Sequence, residues 1–122
     1  MRPVGLDQFV AFFFHAAGRI GRREYRLGIG FVYAVAFALL FFVLARVENQ
    51  PTVALGLIVN LPLVVALFVL VAKRCHDIGL PGSFVFLLLV PVIGIGWLIA
   101  LAFIPGNAGA NSYGPEPEFL PD

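Results

Sequence analysis

Three stretches of the chain are long, apolar and free of charge, and they limit the fold more than anything else in the sequence. Leu27 to Ala45, Val53 to Ala72 and Phe84 to Ile104 contain no Asp, Glu, Lys or Arg. At about 1.5 Å per residue, a helix of such length matches the ~30 Å hydrocarbon layer of a bilayer. Their Leu, Ile, Phe and Val residues are worth about −0.3 to −0.6 kcal/mol each near the bilayer centre, so insertion is favourable. A soluble chain of 122 residues could not hide so much apolar surface. Hydrophobic residues make up 61% and charged residues 12% of it, against roughly 45–50% and about 25% in soluble domains. The sequence therefore predicts a single all-α integral membrane domain over residues 1–122, with three transmembrane helices at 27–45, 53–72 and 84–104.

The net charge of +1 conceals an asymmetry along the chain. Arg2, Arg19, Arg22, Arg23 and Arg26 precede the first stretch, Lys73 and Arg74 lie between the second and third, and Arg46 alone falls in the first loop. With the N-terminus and second loop cytoplasmic, seven of the eight cations lie inside, as the positive-inside rule requires. Three crossings then put the C-terminus outside, with Glu116, Glu118 and Asp122. So small a net charge gives no global attraction to nucleic acid, and none is expected as a partner. Cys75 is the only cysteine, which excludes an internal disulfide and a thiol metal set. No apolar run with a cleavage site precedes the arginines, so the first span is expected to act as an uncleaved anchor.

Residues 1–26 read as a cytoplasmic interfacial segment. Phe9, Phe12, Phe13, Ala16 and Ile20 recur at helical spacing between Leu6 and Ile20. This run is too short to span and fits a helix at the membrane surface. A partly extended segment tucked against the helix ends is the other reading. Residues 105–122, rich in Pro, Gly and Asn, predict a turn-rich extracytoplasmic tail.

Arg19, Arg22, Arg23 and Arg26 fall at i, i+3, i+4 and i+7, one face of a helix entering the membrane. With Arg74 on the same side, Arg19, Arg22 and Arg23 are candidate contacts for anionic lipid headgroups, each basic residue adding about 1 kcal/mol of attraction. Lipid anchoring together with topology control accounts for such a cluster without any specific ligand. Glu24, set among the arginines, calls for a partner, and a structural bridge to Arg74 is the expectation. Glu24, Lys73, His76 and Asp77 thus form a candidate polar cluster. Lys73-Arg74-Cys75-His76-Asp77-Ile78-Gly79 is the densest chemistry in the chain. It fits a headgroup or small-anion site, a proton-handling histidine, or a plain helix end with Gly79 as C-cap. Adjacent His76 and Asp77 point about 100° apart on a helix, a poor pair for one metal ion. No metal or cofactor is expected.

Asn60 and Pro62 lie mid-way along the second stretch, and Pro91 with Gly94 and Gly96 mid-way along the third. Proline frees the carbonyl four residues earlier, here of Ile58 and Leu87, and kinks a helix. Transporters build midplane sites from such breaks. One midplane amide without a midplane charge fits helix packing better, and would serve transport only in an oligomer. Ser83, Thr52 and Ser112 lack a base partner, so no enzyme is expected.

Gly18-Arg19-Ile20-Gly21-Arg22-Arg23-Glu24-Tyr25, then Lys73 to Gly79, then Pro105-Gly106 and Asn111-Ser112-Tyr113-Gly114-Pro115-Glu116-Pro117 occur in one order around three apolar runs. Together they resemble the domain-of-unknown-function 805 family of small bacterial inner-membrane proteins, over nearly the whole chain. The chain departs from the family's usual aromatic residue at Arg26, its Arg and Leu around Lys73 and Cys75, its Ser-Gly-Trp run at Leu80 to Ser83, and its basic residue at Ser112. The resemblance implies a multi-pass protein of the bacterial inner membrane with no established activity. The expected role is a non-enzymatic structural or interaction module whose partners are the lipid bilayer and a second copy or another membrane protein. A small oligomeric transporter or lipid-handling protein is the alternative.

Overall fold

The computed structural model describes residues 5–15, 17–46, 48 and 50–115. Arg2, Ala16, Glu116, Glu118 and Asp122, named above, lie outside them. The order is α1 (Leu6–Phe14), α2 (Arg22–Ala45), α3 (Gln50–Ile78), a 3-10 helix (Gly82–Leu89) and α4 (Pro91–Phe103). The described residues form no named strand. Helices α2 and α3 are long and apolar enough to cross a membrane.

Helix α2 starts at Arg22 because Gly21 and Glu24 stop its end from fraying. The Glu24 carboxylate accepts the Gly21 N–H at 2.8 Å, and an acid in the first turn also suits the helix dipole. Helix α3 continues beyond the apolar stretch to Ile78 and ends as a Schellman motif. Leu80 N–H bonds Cys75 C=O at 2.8 Å and Gly79 N–H bonds His76 C=O at 3.0 Å. Gly79 has φ +91°, the left-handed conformation that closes such a motif. The two helices approach where side chains vanish. A Cβ on Gly28 would meet Leu70 and Phe12 at 3.0 Å, and one on Gly56 would collide with Val43. The α1 segment is a short helix laid across them, with Phe13 buried and its ring 5.4 Å from that of Phe31.

The expected third span is not one helix. Val90 stands between the 3-10 helix and α4, with Pro91 in the first turn of α4. Pro91 has no N–H to continue the preceding helix and its ring disfavours a helical Val90, so the chain turns. Gly94 lets the two legs close together, since a Cβ there would lie 2.8 Å from the Leu88 carbonyl oxygen. Phe84 and Trp97 meet across the legs at 6.1 Å. The stretch begins beside the end of α3, where Gly82 approaches His76 and Ala72. It finishes at the same place: Tyr25 Oη donates to Leu98 C=O at 2.9 Å and Arg22 Nη1 to Phe103 C=O at 3.2 Å. Residues 84–104 thus make a hairpin with both ends at one end of the bundle. The tail from 105 to 114 lies at that end too, against Arg19, His76 and Asp77. An outside C-terminus opposite a cytoplasmic N-terminus needs residues 84–104 to cross as one span, and in this fold that stretch is two short legs.

Candidate functional site

The polar residues singled out from the sequence meet at this one end, and most of them are buried. Asp77, in the last turn of α3, stands between two arginines. Its Oδ1 accepts Arg19 Nε at 3.0 Å with Nη2 at 2.9 Å, and its Oδ2 accepts Arg74 Nη1. Arg19 spends its remaining donors on backbone: Nη1 on Gly109 C=O at 2.7 Å and Gly114 C=O at 3.2 Å, Nη2 on Asn107 C=O at 2.6 Å. Arg74, fully buried, donates Nε to Leu101 C=O at 2.8 Å, Nη1 to Ile20 C=O at 3.1 Å and Nη2 to Ile104 C=O.

These bonds have one physical purpose. The last carbonyls of a helix have no partner within the helix, and in a low dielectric each needs one. Arg74 and Arg22 supply them for α4. Lys73 Nζ does so for α1, donating to Ala11 C=O at 3.0 Å and Phe12 C=O at 2.7 Å. Asn111 Nδ2 bonds the His76 carbonyl of α3 at 2.9 Å. The C-terminal ends of α1, α3 and α4 therefore converge on Lys73, Arg74 and Arg19. Each such end carries about −0.5 elementary charge, which offsets a cluster holding three buried cations against the two buried acids Glu24 and Asp77.

The tail is built into the cluster. Asn107 N–H bonds Asp77 C=O at 2.7 Å, and Gly106 lies so close to the Asp77 carboxylate that no Cβ would fit. Asn111 to Gly114 form a tight turn, with Tyr113 N–H bonded to Asn111 Oδ1 at 2.8 Å. That turn lays the Tyr113 ring flat on His76, centroids 4.2 Å apart and planes 4° apart. His76 Nδ1 sits 2.9 Å from the Gly18 carbonyl oxygen and so carries the proton toward it.

This geometry changes several expectations. Arg19 precedes α2 and is not on its face, so the four arginines do not form one helical stripe. Arg19 and Arg74 are buried with their donors engaged inside the chain, which removes them from a headgroup-binding surface. Arg23 and Arg26 are exposed and Arg22 half-buried on the first turns of α2. Arg74 has Asp77 as an ion-pair partner, a pairing within α3 that the sequence reading did not name. Asn60 bonds Gly56 C=O one turn back at 2.9 Å, within its own helix. Tyr25, Asn107 and Asn111, whose roles the sequence reading did not assign, hold the hairpin and tail in place. Their signal was faint: a tyrosine inside a cationic run and asparagines in a glycine-rich tail.

A protein-family model described as "Protein of unknown function (DUF805)" matches residues 13–115. The chain belongs to this family. The match takes in both halves of the polar cluster, from Arg19 to the Tyr113 turn. The inner membrane protein YhaI of Escherichia coli K12 is 30% identical over 125 residues, covering 93% of this chain and 92% of the relative. YhaI of Escherichia coli O157:H7 matches to the same extent. No solved structure matches. The chain is thus a member of a membrane-protein family of unknown function, related along almost its whole length to an inner membrane protein.

Proposed function

We propose that the protein is a non-enzymatic structural or interaction module of the bacterial inner membrane that holds anionic lipid headgroups on its cytoplasmic face. The observation that carries this reading is how the charged side chains are used. Arg19, Lys73, Arg74 and Asp77 are engaged with one another and with helix-end carbonyls, the bonding expected of a structural clamp. The exposed cations Arg23 and Arg26 sit beside the exposed apolar Leu27, at the level where a helix enters lipid. A basic residue there attracts anionic headgroups by about 1 kcal/mol. The names of the relatives support the inner membrane as the location. In the plane of the membrane, a second copy or another membrane protein is the partner this reading calls for.

The test is mass spectrometry of the protein released gently from its own membrane, with bound lipids and copy number recorded together. Retained phosphatidylglycerol that falls in an Arg23→Gln/Arg26→Gln variant, with thermal stability unchanged, supports the lipid role. Retention independent of headgroup charge and of both arginines overturns it. A defined oligomer or co-purifying membrane protein supports the module reading, and a lone monomer with a stoichiometric metabolite overturns it.

A further inference from the structure

The hairpin Gly82–Phe103 poses a problem of depth. Its α4 leg has 13 residues and its 3-10 leg eight, which at about 1.5 and 2.0 Å per residue reach roughly 20 and 16 Å. Neither leg spans a ~30 Å hydrocarbon layer. Its side chains are nonetheless those of a membrane segment, with Phe86, Leu89, Val92, Ile95 and Phe103 exposed. Irregular backbone at membrane depth is tolerated only where protein or a polar lining satisfies it. Here the open end of the hairpin is satisfied by Tyr25, Arg22 and Arg74. At its tip Pro91 has no N–H to satisfy, and Val90 and Gly94 N–H bond Leu87 and Val90 C=O.

We infer that Gly82–Phe103 is a re-entrant hairpin that enters and leaves the bilayer on the cytoplasmic face, so that the chain crosses the membrane only twice and its C-terminal segment is cytoplasmic. The positive-inside rule sets the side: the cationic end holds Arg19, Arg22, Arg23, Arg26, Lys73 and Arg74, and the opposite loop holds Arg46. Five helical elements then crowd the cytoplasmic side while α2 and α3 alone cross the outer leaflet. Among the described residues, apart from the short connection between Arg46 and Gln50, what a soluble partner can touch then faces the cytoplasm. This inference does not depend on lipid binding.

The test uses the full chain in bacterial cells. A fluorescent protein that matures only in the cytoplasm, fused after Asp122, is expected to fluoresce, and alkaline phosphatase at the same point to stay inactive. Alkaline phosphatase inserted at Glu48 is expected to be active. In a Cys75→Ala background, Ser112→Cys is expected to react with a membrane-impermeant maleimide only after the inner membrane is opened, whereas Glu48→Cys reacts in intact spheroplasts. Active phosphatase after Asp122, or labelling of Ser112→Cys from outside, overturns the inference. The cysteine variants leave the hairpin and the arginines untouched, so a folding failure in the fusions would not decide the result.

Discussion

The two ends of this molecule are held together by different physics. At the cationic end, ion pairs and side-chain bonds to carbonyls join residues far apart in sequence, such as Arg19 to Gly114 and Arg74 to Ile20. Toward the other end only α2 and α3 remain. Between Tyr33 and Val65, Val43 and Gly56 alone are buried among the described residues, while Phe41 is 76% and Leu55 62% exposed. Lipid is as apolar as those side chains, so burying them against protein gains little. A membrane chain of this kind gains its unique arrangement from polar groups that have nowhere else to go, and uses its apolar residues mainly to stay in the bilayer.

The comparison breaks first at Asp77. In Asp77→Asn, Arg19 and Arg74 lose their shared carboxylate while remaining buried, and removing one partner of a buried pair costs about 3–5 kcal/mol. Arg74→Leu is expected to match it, since it leaves the Leu101, Ile104 and Ile20 carbonyls short of a donor. Unfolding in mixed detergent micelles measures both. A loss under about 1 kcal/mol in either would mean that water enters this end and does the bonding instead.

The tail gives the next effect. Gly106→Ala places a methyl group into the Asp77 carboxylate, and forcing atoms into a packed site costs about 1–3 kcal/mol. Limited proteolysis is expected to cut near Asn107 to Tyr113 in this variant and to spare the parent chain. Tyr113→Ala removes the stack on His76, worth about 0.5–1.5 kcal/mol for ring pairs of this kind. Tyr113→Phe keeps it and is expected to be neutral. Equal loss in both would show that the hydroxyl, not the ring, holds the tail.

Much of this was legible in advance and part of it was not, for reasons visible in particular residues. Hydropathy located the α2 and α3 spans because their length and lack of charge are composition facts, and Gly79 announced the end of α3. The hairpin escaped because Phe84 to Ile104 is as apolar as a true span: transfer energy is the same whether a segment passes through or turns back. Pro91 marked the position of the break but not its size, because a kink and a reversal begin with the same missing N–H. The tail's packing against Arg19 and His76 was not legible, since its side was set by counting crossings and a segment without Lys or Arg is silent under the positive-inside rule. The arginine stripe failed because periodicity cannot see Gly21, which starts α2 two residues after Arg19. Lys73 and Arg74 as caps for α1 and α4 join residues 27 to 62 apart in sequence, a relation that no local pattern encodes.

The smallest effect is expected at Asn60, and it separates the two ends most sharply. An amide in the apolar half could be the seed of a polar path, in which case Asn60→Leu abolishes a function without touching stability. It could equally be an ordinary helical residue, and its bond to Gly56 C=O supports that account: the amide is satisfied within α3. Asn60→Leu is then expected to change stability by less than about 0.5 kcal/mol, the usual range for substitutions away from packed or networked positions. Leu57→Ile, on the exposed side of the same helix, serves as the reference. If Asn60→Leu instead destabilises by more than about 1 kcal/mol, beyond the ~0.6 kcal/mol average for hydrogen bonds between membrane helices, the amide bridges to another chain. The apolar half would then be an interface, and its exposed side chains would be shared between copies or partners and not with lipid alone.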